Sequence, residues 1–478
     1  MTTNWTVKSI RDSVNAGSTS AAAIIDEALR RIDEKDGEIG AFLEVFSDDA
    51  RAAAKDVDAR HASGETDLPL AGVPIALKDN MLVMGHIASA GSKMLQNYEA
   101  SYTATVVKKL QDAGAIIIGR TNMDEFAFGS STESSAFHVT KNPHDTSKVP
   151  GGTSGGSTAA VAAGMIPAAL GSDTGGSIRQ PASLCGVVGM KPTYGRVSRY
   201  GLIADGSSLD QIGPIATTVE DVALVLSIIE GKDVKDATSV VLAPLDPPIN
   251  GGKVLDLSTI RIGVPKEYFI DGMDEEVAAR IHEAIDVLKK GGAEIVNMSL
   301  PLAPYALPAF YIIQPAEASS NLARFDGMRY GNRGEGVIEE SYRSARGAGL
   351  GAEAKRRIML GTFILSAGYY DAFYKKAIAV RAAMKIEFDA ALAAVDVIVG
   401  PVSPVVAWGI GEKMDDPVSM YLADVFTVSA NILGIPGISV PCGTAHGLPV
   451  GLQILGKNFD DQKVLDVALA FETLRKGV

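Results

Sequence analysis

The sequence predicts an α/β protein built as one large unit. Two observations favour this class. An apolar run at 71–77 leads into Lys78 and is typical of a buried strand, and residues 255–300 alternate strand, amphipathic helix and strand. A third observation favours one unit, because neither a fixed-period repeat nor a linker rich in proline and serine interrupts the 478 residues. We therefore expect a single domain over residues 1–478.

The individual elements can be predicted in chain order. Residues 18–36 repeat apolar side chains at helical spacing, and we expect a helical segment over about residues 1–65. Residues 103–126 predict a helix, a glycine stop and a buried strand, and the small side chains at 157–164 let a helix approach a sheet closely. The remaining expected elements are helices over most of 305–395, a strand at 395–404, and a strand pair followed by a final helix at the end of the chain.

Composition argues against several classes of protein. Two cysteines, Cys185 and Cys442, are too few for a disulfide scaffold or a four-cysteine metal site, and the six histidines never fall at metal-ligand spacing, so no metal is expected. A net charge of −13 gives little of the cationic surface that binds nucleic acid. The longest apolar stretch, 159–170, is too short to span a bilayer. We expect a soluble, cytoplasmic protein without a membrane partner.

A glycine pair directly before Ser177 is the first candidate for chemistry, in the segment SDTGGSIRQP at 172–181. Because glycine has no Cβ, backbone N–H groups can converge there on an anion, as the oxyanion of acyl transfer requires. A serine beside such donors can be the nucleophile. The alternative is a simple glycine turn whose serine caps the following helix.

Two other motifs overlap these glycines and are rejected. Residues 173–175 spell the D-T-G of aspartic proteases, which need two carboxylates sharing a proton, but the sequence holds no second copy. Residues 152–156 fit the G-x-S-x-G nucleophile elbow, which must follow a strand, whereas 141–150 is polar and contains two prolines.

A serine nucleophile also needs a base, and neither His282 nor His446 has a supporting context for that role. Lys78 is the candidate, because it ends an apolar strand whose burial would lower the lysine pKa toward neutrality. The alternative is an ordinary strand-end lysine that reaches solvent.

These stretches together resemble the amidase signature family, whose relay joins a lysine, a bridging serine with a cis peptide bond, and a nucleophilic serine. The resemblance assigns the lysine to Lys78, the nucleophile to Ser177 and the bridging position to Thr153 in PGGTSGG. Threonine departs from the usual serine but keeps the hydroxyl, and its added methyl restricts χ1. The neighbouring Ser154 is the alternative bridging residue.

The resemblance also implies a fold and an oxyanion site. The expected fold is a mixed β-sheet covered by α-helices on both sides, with a signature core over about residues 70–215. The expected oxyanion donors are backbone N–H groups of the segment that runs from Thr174 through Gly175 and Gly176 to Ser177.

Segments beyond the signature motifs themselves resemble one branch of the family, the A subunits of glutamyl-tRNA(Gln)/aspartyl-tRNA(Asn) amidotransferases. Four of the matching segments are NMDEFAFGSSTESSAF (122–137), KPTYGRVSRYGLI (191–203), GYYDAFYKKA (368–377) and GLPVGLQILGK (447–457). This branch implies a glutaminase with no cofactor of its own. Its expected partners are the B and C subunits of the amidotransferase, with ATP, Mg²⁺ and the misacylated tRNA held mainly by the B subunit.

Glutamine carries a carboxylate and an ammonium at its α-carbon, so its site needs one cation and one anion. Arg357 and Asp424 resemble the residues of the branch that fill these roles, and Tyr311 resembles a tyrosine that contacts substrate. Arg356 and Phe310 are the alternatives if the register shifts by one.

Three functions stay open on the sequence. The first is the glutaminase subunit of a tRNA-dependent amidotransferase. The second is a free-standing amidase of small amides, which the Arg357 and Asp424 pair disfavours. The third is a catalytically weak assembly subunit, which only the threonine at 153 favours.

Overall fold

A mixed β-sheet forms the centre of the computed structural model, which describes residues 5–247 and 255–476. Within these residues eleven strands are hydrogen-bonded in the order β1-β3-β2-β4-β6-β5-β10-β11-β9-β7-β8. The strands are β1 (Phe42–Val45), β2 (Pro74–Lys78), β3 (Ile116–Thr121), β4 (Ala168–Asp173), β5 (Val188–Lys191), β6 (Gln211–Ala216), β7 (Arg261–Pro265), β8 (Glu294–Met298), β9 (Val397–Pro401), β10 (Gly437–Ala445) and β11 (Leu448–Leu455).

Fifteen α-helices lie in the same described ranges. They are α1 (Val7–Asn15), α2 (Ala21–Ile39), α3 (Ser47–Ala62), α4 (Thr105–Asp112), α5 (Gly155–Ala162), α6 (Arg179–Cys185), α7 (Val219–Ile229), α8 (Glu275–Lys290), α9 (Ala306–Asn321), α10 (Ile338–Gly349), α11 (Ala352–Leu365), α12 (Lys375–Ala394), α13 (Pro417–Leu422), α14 (Val428–Leu433) and α15 (Asp461–Lys476). No described helix is both long and apolar enough to cross a membrane.

Both faces of the sheet are covered, because alternate strand residues enter different apolar clusters. On β2, Ile75 and Leu77 belong to an apolar cluster that includes residues of α4, α7, α8 and α15, whereas Ala76 belongs to one that includes residues of α2, α3 and α5. Four strand pairs run parallel, namely β2 with β3, β2 with β4, β7 with β8 and β7 with β9. The other hydrogen-bonded pairs are antiparallel. The expected α/β fold, with a mixed sheet between helices, is confirmed.

The N-terminal segment differs from its prediction in one element. We expected helices over about residues 1–65, and α1, α2 and α3 lie there, but so does strand β1, while residues 1–4 lie outside the described part. Strand β1 has four residues and pairs at the sheet edge with β3. Such a short strand gives too few alternations for sequence periodicity to detect.

The carboxyl ends of three parallel strands meet where the candidate residues lie. Lys78 ends β2 and pairs in register with Thr121, which ends β3, and Asp173 ends β4 on the other side of β2. Ligands of α/β proteins bind at such an edge. The two glycine-rich loops that follow therefore enter one region.

Candidate active site

Lys78 is a fully buried lysine at the end of β2. Its Nζ donates to Thr153 Oγ1 at 2.5 Å and to the Ser172 carbonyl oxygen at 3.3 Å. It does not reach solvent, so the alternative of an ordinary strand-end lysine is excluded. The predicted contact between Lys78 and Thr153 is present.

Burial also sets the charge of this lysine. Desolvation lowers the pKa of Lys78 to about 7, although the carboxylates of Asp124, Asp173, Asp205 and Asp210 all act to raise it. A lysine with this pKa is substantially neutral at pH 7, as a general base must be.

Thr153 lies in the loop that enters α5 and is fully buried. The peptide bond between Gly152 and Thr153 is cis, as the family resemblance implies. The loop packs so closely that a Cβ at Gly152 would lie 2.3 Å from Asp124 Oδ2, and one at Gly156 would lie 2.4 Å from the Asn122 carbonyl oxygen. The glycines of GGTSGG therefore serve close backbone approach. The alternative bridging residue, Ser154, donates its hydroxyl to the Ser172 carbonyl at 3.2 Å.

Ser177 follows β4 in the second glycine-rich loop and is 8% exposed. Its carbonyl oxygen accepts from the Ser154 N–H at 3.1 Å, so the two loops are joined through the backbone. The Ser177 hydroxyl makes no hydrogen bond to any described residue. It is thus available to a substrate in the adjoining cavity.

The backbone amides around Ser177 are only partly available. The Gly176 N–H donates to Asp173 Oδ1 at 2.9 Å and is already committed. The N–H groups of Thr174, Gly175 and Ser177 have no hydrogen-bond partner within the described residues. Gly176 has φ +135°, and a Cβ there would lie 2.2 Å from Thr427 Oγ1, so glycine is required at this position.

Asp173, which the sequence suggested only as part of a protease motif, organises this loop. It is fully buried and pairs with the fully buried Arg179, whose Nε and Nη2 both donate to the carboxylate at 3.0 Å. Asn431 Nδ2 also donates to it at 2.8 Å. The nearby guanidinium lowers the pKa of Asp173 to about 2 against the effect of burial. Asp173 is therefore an ionised structural anchor.

A small cavity of about 20 Å³ borders Ser177. Arg357, Tyr311 and Asp424 all line it, together with Thr174 and the other residues of its wall, which are Ala127, Phe128, Gly129, Gly175, Asp205, Phe310 and Gln314. This volume admits about one water molecule. The structure brings all three predicted substrate contacts to one cavity.

Arg357 provides the cationic end of the cavity. It is 3% exposed, its Nε donates to Glu353 Oε1 at 2.6 Å, and its guanidinium lies 4.6 Å from the ring centre of Tyr311 and 4.7 Å from that of Tyr421. The two tyrosine rings stack with centres 4.1 Å apart. The aromatic rings and the carboxylate hold the guanidinium in one orientation.

Asp424 provides the anionic end. It is 7% exposed and accepts from Ser130 Oγ at 2.6 Å. Burial raises the pKa of Asp424 to about 7, which the Arg357 charge partly offsets. Its charge therefore changes near neutral pH.

The structure distinguishes the predicted residues from the alternatives that a one-residue shift would give. Arg356 is exposed and forms an ion pair with Glu353 on the outer side of α11, whereas Arg357 lines the cavity. Phe310 and Tyr311 both reach the cavity, but Phe310 packs against the glycine loop, where a Cβ at Gly175 would lie 2.7 Å from its ring. Tyr311 is the residue that contacts Arg357.

The rejected alternatives have no support in the structure. No strand precedes the glycines at 152–156, so the loop is not a nucleophile elbow. His446 is exposed and contacts Asp274. Within residues 5–247 and 255–476, no group of three or more His, Cys, Asp or Glu side chains is placed to hold a metal ion.

Sequence reasoning missed one residue that lines the cavity, Gln314, and three that contact its lining residues Arg357 or Asp424: Ser130, Glu353 and Tyr421. None lies in a motif that suggests chemistry by itself. Asp173 and Arg179 were within reach, because both stand in the quoted segment at 172–181 and are six residues apart.

This chain resembles known proteins over almost its whole length. A sequence profile of the family described as Amidase matches residues 23–465. The glutamyl-tRNA(Gln) amidotransferase A subunit of Thermoanaerobacter pseudethanolicus is 53% identical over 474 residues, which cover 98% of this chain and 96% of the relative. The protein of the same name from Symbiobacterium thermophilum is 53% identical over 464 residues, covering 96% and 95%. The crystal structure of the glutamyl-tRNA(Gln) amidotransferase A subunit from Thermotoga maritima superposes with a TM-score of 0.78 at 43% identity, covering 95% of this chain and 91% of that one.

Proposed function

This chain belongs to the amidase signature family, and from that premise we propose that it is the glutaminase subunit of a tRNA-dependent amidotransferase. In this function it hydrolyses the side-chain amide of glutamine and supplies the ammonia that converts Glu-tRNA(Gln) to Gln-tRNA(Gln). The relatives, which are about half identical over nearly their whole length, support an amidotransferase complex as its setting.

One observation carries the proposal. A fully buried lysine contacts a buried threonine hydroxyl at 2.5 Å, beside a serine that borders a cavity with one cationic and one anionic end. The lysine, the threonine and the serine suit acyl transfer by a serine nucleophile. The cationic and anionic ends of the cavity suit the α-carboxylate and α-ammonium of an amino acid.

Acylation begins when the Ser177 hydroxyl attacks the side-chain carbonyl carbon of glutamine. Its proton passes to Thr153 Oγ1 as the threonine proton passes to neutral Lys78 Nζ. The carbonyl oxygen becomes an oxyanion, which the free amides of Thr174, Gly175 and Ser177 stabilise. When the C–N bond breaks, Lys78 returns the proton along the same path to the leaving nitrogen, and ammonia departs.

Deacylation repeats the relay with water. A water molecule attacks the glutamyl ester on Ser177 and transfers a proton through Thr153 to Lys78. The ester C–O bond then breaks, Ser177 recovers its proton, and glutamate leaves. Lys78 ends each cycle neutral, as it began.

Substrate recognition is assigned to the two ends of the cavity. The Arg357 guanidinium binds the α-carboxylate of glutamine, and ionised Asp424 binds its α-ammonium. Tyr311 packs on the Arg357 guanidinium and lines the cavity in which the substrate binds between Arg357 and Asp424.

The ammonia leaves for the partner B and C subunits. We assign ATP, Mg²⁺ and the misacylated tRNA to these partners, mainly to the B subunit, and no cofactor to this chain. The net charge of −13 is consistent with a protein that does not itself hold the tRNA.

Ammonia release from L-glutamine tests the proposal. The purified chain is assayed alone and in the assembled complex with Glu-tRNA(Gln) and ATP, with Ser177→Ala as the inactive control. Stimulated release by the complex is the expected result. Release from small amides but not from glutamine would replace this function with that of a free-standing amidase.

A further inference from the structure

A glutamine side chain joins the cationic end of the cavity to a buried carboxylate. Gln314 lies on α9 and is 1% exposed. Its Oε1 accepts from Arg357 Nη1 at 2.8 Å, and its Nε2 donates to Asp205 Oδ1 at 2.5 Å. The amide orientation is set by Arg357, because a guanidinium can only donate, so the amide oxygen must face Arg357 and the NH₂ group faces Asp205.

The chain of contacts continues from Asp205 to the oxyanion loop. Asp210 accepts from the backbone N–H groups of Asp205 at 3.0 Å and of Gly206 at 3.1 Å, and from Thr174 Oγ1 at 2.8 Å. Thr174 is one of the proposed oxyanion donors. Arg357 and Thr174 are therefore connected through Gln314, Asp205 and Asp210 by hydrogen bonds between buried groups.

Helix packing makes the first link of this connection rigid. Helix α9 carries Gln314 and α11 carries Arg357. A Cβ at Gly361, one turn after Arg357, would lie 1.8 Å from the carbonyl oxygen of Pro315, the residue after Gln314. The two backbones thus touch beside the bridge, and the relative position of its two side chains is fixed.

We propose that Gln314 is a specificity-determining positioning residue, which holds the carboxylate-binding Arg357 at a fixed distance from the oxyanion loop. This inference rests on the proposed glutaminase function. When a substrate binds, the bridge keeps the Arg357 subsite and the oxyanion loop at a fixed separation. The distance between them then selects an amide that stands two methylenes from the α-carbon, and discriminates against asparagine, which has one.

Two substitutions separate the links of the bridge. Gln314→Ala removes both. Gln314→Glu keeps an oxygen that accepts from Arg357, but it replaces the Nε2 donor toward Asp205 with a second oxygen. The new carboxyl group and Asp205 can then be hydrogen-bonded only when one of the two acids carries a proton. The substitution also places a negative charge beside the site for the α-carboxylate. Gln462→Ala is the matched control, since Gln462 contacts Asp246 and Asp466 and none of the site residues.

The experiment measures kcat and KM of the assembled complex for L-glutamine and L-asparagine. One methylene is worth roughly 10- to 200-fold in an enzyme's discrimination. We expect Gln314→Ala to lower the ratio of kcat/KM for glutamine to kcat/KM for asparagine at least fivefold. We expect Gln314→Glu to lower this ratio as well, and to raise KM for glutamine at least tenfold with a smaller change in kcat. The control is expected to match the unsubstituted complex.

A structural role alone would lower kcat/KM for both amides by the same factor, and that result, or no change in either variant, overturns the inference. If the alanine variant does not fold, the glutamate variant, which is closest in shape, decides alone. Failure of the proposed function is distinguishable, because the unsubstituted complex would then release no ammonia from glutamine. In that case the inference falls with it.

Discussion

Replacing the Thr153 hydroxyl tests the proposed relay at its middle position. Thr153→Val keeps the branched shape of the side chain but substitutes a methyl group for Oγ1, the atom that Lys78 Nζ contacts at 2.5 Å. Lys78 is then left with the Ser172 carbonyl at 3.3 Å as its hydrogen-bond acceptor. The proposed proton path from Ser177 to Lys78 then loses its connecting hydroxyl.

The size of the effect follows from this geometry. A positioned proton-transfer group contributes about 10²- to 10⁴-fold, which corresponds to roughly 3–6 kcal/mol at about 1.4 kcal/mol per tenfold. Losing the buried hydrogen bond costs about 1–3 kcal/mol of folding free energy. A domain that is stable by about 5–15 kcal/mol remains folded after such a loss. We therefore expect kcat for glutamine to fall at least 100-fold in a folded protein.

Thr153→Ser is the matched control, because it keeps the hydroxyl and removes only the methyl group. Its kcat is expected to stay within threefold of the parent or to rise. Both variants are assayed for ammonia release in the assembled complex, with thermal unfolding to show that each is folded. A valine variant that keeps more than a third of the parent kcat would refute the relay through Thr153.

Three further predictions concern charge. Lys78, with its pKa lowered to about 7, must be neutral, and Asp424, with its pKa raised to about 7, must be ionised, so both active forms are lost as pH falls. The slope of log kcat/KM against pH should approach 2 well below neutrality, and 1 in Asp424→Asn. Arg179→Ala leaves a buried carboxylate unpaired and should lower the free energy of unfolding by about 3–5 kcal/mol in urea titrations at pH 7. In the parent protein the Asp173–Arg179 pair makes its full contribution to the free energy of unfolding above the pKa that Asp173 has in the unfolded chain. This contribution is lost as pH falls toward the folded-state pKa of about 2. Arg357→Lys removes the planar guanidinium and should raise KM for glutamine about 10- to 100-fold with little change in kcat. The control, Arg356→Lys at an exposed position, should change neither KM nor kcat. Equal effects from the two substitutions would contradict the assignment of Arg357 to the carboxylate site.

The parts of the site that lie in short segments could be predicted from the sequence. An apolar run ending in a lysine identifies a strand end, and glycines around a threonine or a serine identify tight loops. Their meeting could not be derived from periodicity, because it depends on β2 lying beside β4, which begins 90 residues after Lys78. The family resemblance supplied that step.

The rest of the site depends on helix rotation and on distant contacts. Arg356 and Arg357 are adjacent in sequence, and only the rotation of α11 against α9 decides which of them faces the cavity. Gln314 joins Asp205 and Arg357 from separate segments of the chain, and no local pattern marks it. Strand β1 was missed for a related reason, because four residues at a sheet edge carry little signal of their own.

The identity of the nucleophile is tested most directly with a diazoketone analogue of glutamine, which alkylates the group that attacks the side-chain carbonyl. The complex is treated until ammonia release stops, and the modified residue is located by peptide mapping. We predict one label per chain on Ser177, protection by excess glutamine, and no label in Ser177→Ala. Complete inactivation with the label on another residue, or unchanged labelling of Ser177→Ala, would contradict the proposed mechanism.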